Sequence, residues 1–352
     1  MVEILSKDKY DEYTEFLENS ENSSFTQSLN WTKVKKGWGY EVVVTRDEQN
    51  KIIGGMLILI KTIPVCGLSL LYSPRGMICD YHDKKVLREL VDVALMVAKK
   101  HHGYLFKIDP YILADDEQAI NNLKELGFEF TPNLKHGQTI QTRHNYMLCG
   151  LKGKTEDEVF MSIGAKSRNC VRGAIKKGVQ CKQYSAKDID KFYEIYDMTG
   201  NRNGFSIRPK EYLKGFVEAF GDNGAMFICT FEDEPVCGGI LAYCAGRCCH
   251  VYGATSDKHR QLNANYLMQW EMMKWGLGKG CDIYDMQGIT ITPEEDEHLF
   301  GVYQFKKSFK CGEVVEYAGE FDYIVSPILN KLATHAQNLL MKYNRMKNRK
   351  KS

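Results

Sequence analysis

Three groups of residues have the types and spacing to do chemistry. The first is Gly301-Val302-Tyr303-Gln304-Phe305-Lys306-Lys307-Ser308-Phe309, two adjacent lysines set among aromatics. Such a pair fits a site for an anionic ligand. It fits equally one exposed face of an amphipathic segment, because lysine lays its stem along apolar surface and leaves its ammonium in water. The second group is Lys166-Ser167-Arg168-Asn169, followed by Arg172 and Lys176-Lys177-Gly178. In one helix over 156–177, closed by Gly178, Arg168, Arg172 and Lys176 recur every four residues and share a face. That face is either solvated or a contact for the phosphates of RNA or a nucleotide. The third is the acid ending an apolar run, Tyr104-Leu105-Phe106-Lys107-Ile108-Asp109-Pro110, where proline holds the preceding residue extended. Asp109 is there a candidate carboxylate or a turn former.

The chain around these groups is electrically balanced. Forty-seven basic against forty-five acidic residues give a net charge of +2, so contact with nucleic acid or phosphate has to come from local patches. A length of 352 residues exceeds one ordinary core and predicts two domains. Twelve cysteines are dispersed without a C-x-x-C pair, the pattern of reduced thiols in a cytosolic protein and not of a zinc site. No apolar run reaches the roughly 18 residues that a membrane span needs. The segment before Gly301 is acidic, and Lys342 to Lys351 is basic without acids, as in a soluble tail.

The elements that must position these residues repeat. Residues 7–19 read as a helix, 41–45, 51–61 and 68–72 as strands, and Tyr72-Ser73-Pro74-Arg75-Gly76 as the break of the sheet. Leu87, Val91, Ala94, Leu95 and Ala98 predict a helix over 85–101, and the strand ending at Asp109 follows. The second half has strands at 226–232, 235–244 and 248–253, a helix at 265–277, and a strand at 281–286 carrying Asp285. Ile53-Gly54-Gly55-Met56-Leu57 corresponds to Cys237-Gly238-Gly239-Ile240-Leu241. A hairpin, a strand, a helix and a strand, twice over, resemble two acetyltransferase-like (GNAT) modules in an α+β fold. In the second copy the phosphate turn would be Arg260 to Asn265, where Asn263 and Asn265 stand in place of the glycines that let backbone N–H groups approach a pyrophosphate. That departure argues against coenzyme A.

Several motifs in this order resemble the Fem-type (FemABX-like) aminoacyltransferases that build peptidoglycan interpeptide bridges. They are Gln27-Ser28 with Trp31 and Val34-Lys35, Lys107 to Pro110, Lys166-Ser167-Arg168 with Lys176 to Val179, Tyr252-Gly253-Ala254, Tyr266 to Glu271, Gly301 to Lys306, and Gly319 to Asp322. The resemblance covers nearly the whole chain. It implies two tandem GNAT-like domains, 1–147 completed by 318–352, and 148–317. Sustained heptads are missing, which points to the compact FemX-type form without a coiled-coil arm.

By resemblance, the activity would be transfer of an amino acid from aminoacyl-tRNA to the stem-peptide amine of UDP-MurNAc-pentapeptide or lipid II. Aminoacyl-tRNA would be a co-substrate with no further cofactor and no metal. The protein would be a cytoplasmic monomer in transient contact with the inner membrane face. Lys35, with Lys36 as the alternative register, and Arg208 would hold the precursor's diphosphate, joined by Tyr212. Tyr104 and Asp109 would touch its sugar or peptide, and Tyr252 would line the channel. Lys306 would stabilise the oxyanion, with Phe305 stacking on the terminal adenosine; Asp109 would help deprotonate the incoming ammonium. Arg168, Arg172 and Lys176 would meet tRNA. Two other classes fit the same residues: a GNAT N-acyltransferase using acyl-CoA, and a non-catalytic tRNA- or precursor-binding protein.

Overall fold

A computed structural model describes residues 1–132, 139–203, 207–291 and 297–336; residues 294–296 of the acidic segment and the basic run 342–351 lie outside them. In chain order the elements begin with β1 (Val2–Ile4), α1 (Tyr10–Glu18), α2 (Leu29–Val34), β2 (Gly39–Arg46), β3 (Ile52–Thr62) and β4 (Ser69–Ser73). Then come α3 (Lys84–Lys100), β5 (Gly103–Ile108), α4 (Glu117–Glu125), β6 (Glu129–Phe130), β7 (His144–Leu148), α5 (Glu156–Ser162) and α6 (Ala165–Lys176). They continue with β8 (Gln180–Tyr184), α7 (Ile189–Asn203), α8 (Lys210–Phe220), β9 (Gly224–Phe231), β10 (Glu234–Cys244) and β11 (Arg247–Thr255). The last are α9 (Ala264–Gly278), β12 (Ile283–Gly288), α10 (Glu297–Lys307), β13 (Glu313–Glu316) and β14 (Phe321–Ile324).

Two compact units result, Met1–Gln141 with Tyr317–Ser352, and Thr142–Glu316. The first boundary precedes the expected 147 because β7 pairs with β12 and β13 and so belongs to the second unit. Each unit is built on a seven-stranded mixed sheet, in the orders β1-β2-β3-β4-β5-β14-β6 and β13-β7-β12-β11-β10-β9-β8.

In the first unit α3 begins at Asp83, whose carboxylate accepts from the N–H groups of Lys85 and Val86, two donors no helical carbonyl reaches. Its Leu87, Leu90, Val91, Ala94, Val97 and Ala98 are buried along one face, the 3.6-residue stripe, and join the core that includes Ile58, Leu71 and Phe106 of the sheet. In the second unit α9 is buried on several sides, between the sheet and α6, and its Leu267, Met268, Met272 and Met273 are core.

The helix expected over 156–177 is two helices. Thr155 and Glu158 form a reciprocal cap at the start of α5, which ends at Ile163 in an extended conformation. Gly164 then begins α6, its N–H donating to the Phe309 carbonyl at 2.6 Å. A Cβ on Gly164 would lie 2.6 Å from the Ser308 carbonyl oxygen, so the break is where the chain passes the end of α10. That contact spans more than a hundred residues of sequence, which local periodicity does not register.

The sheets differ where their central parallel strands meet. β4 and β5 pair from Ser69 with Gly103 to Ser73 with Ile108, up to the strand end. β11 and β12 pair only at Arg247 with Ile283, Cys248 with Tyr284 and Cys249 with Asp285, and then part. Among the described residues no helix is long and apolar enough to cross a membrane, and no group of His, Cys, Asp and Glu is arranged to hold a metal.

Candidate functional site

In the first unit the residue after β5 is Asp109, with 1% of its surface exposed. The Tyr72 hydroxyl donates to Oδ2 at 2.6 Å and the Arg75 N–H to Oδ1 at 2.7 Å, so both carboxylate oxygens are occupied. Burial pushes the Asp109 carboxyl up to about 6, against the opposing pull of the Arg75 guanidinium. Arg75 is itself buried, at φ +55°, with its guanidinium 4.7 Å and 5.2 Å from the ring centres of Tyr111 and Tyr317. The turn that carries it is held by Gln27, whose amide donates to the Pro74 carbonyl at 2.7 Å and to Ser73 Oγ at 3.1 Å. Gln27 Oε1 accepts from the Leu57 N–H at 2.8 Å. A Cβ on Gly76 would collide with Ser73 and Gln27, so this turn closes only around a glycine.

In the second unit the site forms where β11 and β12 diverge. Past Asp285 β12 no longer pairs with β11, and buried carbonyls need donors. Lys306 supplies them: its ammonium donates to the carbonyls of Met286 at 2.7 Å, Gln287 at 3.1 Å and Gly288 at 2.5 Å. Gln287 is at φ +61°, a turn fixed by its N–H donating to Asp285 Oδ1 at 2.7 Å. Asp285 is fully buried and also accepts from Asn145 Nδ2 at 2.9 Å, with Arg247 Nη1 at 3.6 Å. Burial lowers the Lys306 ammonium to about 8, with Asp285 pulling the other way. At neutral pH the group therefore keeps its charge.

On the β11 side of the divergence stands an aromatic cage. The Tyr252 ring meets those of Tyr196, Tyr212 and Phe216 edge-on, at 6.2, 6.5 and 5.6 Å between centres. The exposed Arg208 lays its guanidinium 5.4 Å from the Tyr212 ring. Burial, and after it the neighbouring Tyr212 hydroxyl, holds the Tyr252 phenol well above its ordinary value.

Arg208, Tyr212 and Tyr252 are thus together. Tyr104 and Asp109 are not, because a separation of five along a strand puts them on opposite faces. Tyr104 is a core ring packed with Ile63 and Ala333. Lys35 lies over the Trp31 ring at 4.6 Å, and Lys36 is exposed. Phe305 packs edge-on against Tyr266 and Phe309, at 5.0 and 5.4 Å. Of the two adjacent lysines Lys306 is buried and Lys307 exposed.

Arg168 turns back to donate to the carbonyls of Met161 (2.7 Å) and Ile163, tying the end of α5 to α6. Arg172 sits 5.1 Å from the Phe160 ring, exposed like Lys176. Four positions escaped the reading of the sequence: Tyr72 and Arg75, within a stretch read only as a sheet break, and His250 and Gln269. A glutamine on the apolar face of a helix was the available signal for the last.

Comparison with known proteins bears on what such a chain does. Residues 9–233 and 227–338 match the family model described as the FemAB family. A lipid II:glycine glycyltransferase of Staphylococcus epidermidis is 27% identical over 390 aligned positions, covering 91% of this chain and 92% of the relative. One of Staphylococcus aureus is 26% identical, covering 94% and 95%. Both alignments run over more positions than the chain has residues, so these relatives carry stretches that it lacks. The crystal structure of FemX superimposes with a TM-score of 0.84 at 24% identity, over 94% of this chain and 99% of that one. A tandem GNAT protein from clavulanic acid biosynthesis gives 0.53 at 8% identity, over 93% and 99%. The tandem GNAT-like architecture is shared with both.

Proposed function

This chain belongs to the FemAB family, and on that premise we propose that it is an aminoacyltransferase building the interpeptide bridge of peptidoglycan. Its donor is aminoacyl-tRNA and its acceptor the stem-peptide amine of a muramyl-peptide precursor. The names of the staphylococcal relatives favour glycine as the transferred residue and lipid II as the acceptor.

The observation that carries the reading is the buried ammonium of Lys306 in the opening between β11 and β12. The acceptor amine adds to the ester carbonyl of the aminoacyl-tRNA. A C–N bond forms, the ester C–O bond breaks, and the amine's proton leaves with the ribose oxygen. The ester is already activated, so placement of the two reactants supplies much of the rate. The developing oxyanion needs a fixed positive donor in a water-poor setting, and Lys306 is one. Its three donors are on carbonyls in the resting chain, so serving the oxyanion means exchanging one of them. Arg208, with Tyr212 and Tyr252, offers a cation and phenol edges to the phosphorylated acceptor. Both carboxylate oxygens of Asp109 are already engaged by Tyr72 and Arg75, and we give the proton transfer to the substrates.

The test is incubation with a set of charged tRNAs and either UDP-MurNAc-pentapeptide or lipid II, followed by mass analysis. The expected result is one precursor carrying an added glycine. Absence of any addition, alongside a control enzyme that transfers, would remove the reading; transfer from acetyl-CoA would replace it.

A further inference from the structure

We infer that His250 is a positioning residue, a permanently neutral strut that sets Tyr252 in the aromatic cage and takes no part in proton transfer. The inference rests on the transferase reading only for what Tyr252 is positioned to meet.

The starting point is an irregularity in β11. Ile240 of β10 faces Tyr252, but Leu241 faces His250, so Val251 is an extra residue and the strand bulges between them. A bulge leaves backbone groups out of the ladder and redirects the next side chain, here Tyr252. His250 closes it from within: its Nε2 lies 3.0 Å from the Tyr252 carbonyl oxygen two residues on. The imidazole is fixed at its other nitrogen, with Nδ1 2.9 Å from Gln269 Nε2 of α9.

The direction of every proton in this chain follows from its far end. The Tyr284 hydroxyl donates to Gln269 Oε1 at 2.7 Å, so the Gln269 amide must turn its N–H₂ toward His250. Nδ1 is then an acceptor. Nε2 carries the hydrogen and donates it to the Tyr252 carbonyl. Each ring nitrogen has one use, and only the neutral Nε2–H tautomer serves both. A second proton, on Nδ1, would point at the Gln269 amide hydrogens. Lys306 is the charged group near the ring, and Tyr284 is the titratable group reached through Gln269. Burial first, and Lys306 second, push the imidazole down to about 3, in keeping with that geometry.

The strands are built around this ring. A Cβ on Gly253 would lie 3.0 Å from His250 Nε2, and one on Gly239 of the paired strand 3.1 Å from the same atom and 2.6 Å from Met272 Sδ. Two glycines therefore leave the space the imidazole fills. The Gly253 of Tyr252-Gly253-Ala254 thereby has a physical reason that its φ does not supply. The path Tyr284–Gln269–His250–Tyr252 joins three elements of the second unit, β12, α9 and β11, across their divergence.

Three substitutions separate the roles of the ring. His250→Gln keeps an N–H at the Nε2 position, His250→Asn keeps only the contact to Gln269, and His250→Phe keeps bulk alone. With glycyl-tRNA and UDP-MurNAc-pentapeptide, the Asn and Phe variants should raise the acceptor KM about tenfold, the size expected for one lost buried hydrogen bond, with the donor KM and kcat within about twofold. His250→Gln should return the acceptor KM to within about threefold of wild type. A kcat loss in all three variants, with one limb of the pH profile gone, would make His250 a proton carrier and overturn the inference. So would an acceptor KM unchanged in His250→Phe.

Nitrogen-15 histidine spectra of the unaltered protein decide the matter apart from turnover. A neutral Nε2–H imidazole, unchanged between pH 5 and 8, is expected. An Nδ1–H tautomer, or titration in that interval, would overturn the strut even if the protein transferred nothing. Absence of transfer by the wild type with the expected spectrum would instead indict the transferase reading alone.

Discussion

The two units answer one problem differently. In each, a parallel pair of central strands carries an acid near its end, Asp109 after β5 and Asp285 in β12, and each acid is almost wholly buried. In the first unit β4 and β5 stay paired to the end, and the nearby cation, Arg75, packs against the adjoining rings of Tyr111 and Tyr317 beside the carboxylate. In the second the strands part after Asp285, and the cation, Lys306, goes to the carbonyls left behind. A strand end that stays paired keeps its cation beside the carboxylate; one that parts turns its cation onto the carbonyls it frees. The lesson is that the repeated fold fixes where a site can form, and the extent of strand pairing decides whether it does.

The largest effect should come from filling the open end with a group that cannot donate. Lys306→Met should lower turnover about 100-fold or more, the scale of losing an oxyanion donor, while acceptor binding measured by calorimetry changes little. Wild-type turnover should also fall as pH rises through about 8, where the ammonium gives up its proton. An unaltered rate in the variant would make the second unit's cation as structural as the first's.

The closed end should show itself in stability. The folded chain holds the Asp109 proton up to about pH 6, whereas an unfolded aspartate releases it near 4. A folded value above the unfolded one contributes stability present at low pH and lost as pH rises through that window. Wild type should therefore lose roughly 2–3 kcal/mol relative to Asp109→Asn between about pH 4 and 6.5, read by denaturant unfolding. A difference that does not vary with pH would show the carboxylate to be ionised throughout.

Smallest is the effect that separates the strap of α5 on α6 from a contact with RNA. Arg168→Ala should cost about 1–2 kcal/mol of stability, from the carbonyls it leaves, with the salt dependence of tRNA binding nearly unchanged. Arg172→Ala and Lys176→Ala should each reduce that slope by a little under one. A slope change confined to Arg168 would reverse the assignment.

Much of this was legible in the residues. The stripe of α3, the doubled glycine pair of β3 and β10, and the acid before Pro110 each report a local requirement, and periodicity or φ restriction carries it into sequence. Spacing alone set Lys306 and Lys307 side by side without distinguishing them; only the family resemblance singled out Lys306. What separates them is a helix that turns one inward onto backbone oxygens, and every residue type has those. The break at Gly164 was illegible for the same reason, since its cause is the Phe309 carbonyl. Arg75 was passed over because a Pro-Arg-Gly turn looks like punctuation until Gln27, 47 residues before Pro74, is seen to hold it.

The position of β14 has a consequence for how the molecule is made. It lies between β5 and β6, so the first unit's sheet stays split until residues 321–324 leave the ribosome. The second unit, contiguous from 142 to 316, is complete by then. The middle of the chain is thus able to fold before its beginning, and β5 waits through some two hundred residues of synthesis with one edge bare, the state in which strands are most exposed to wrong partners. Lys107 of β5 then pairs with Glu320 and Asp322 at 2.6 and 2.7 Å, and these ionic contacts mark the late strand as the right one.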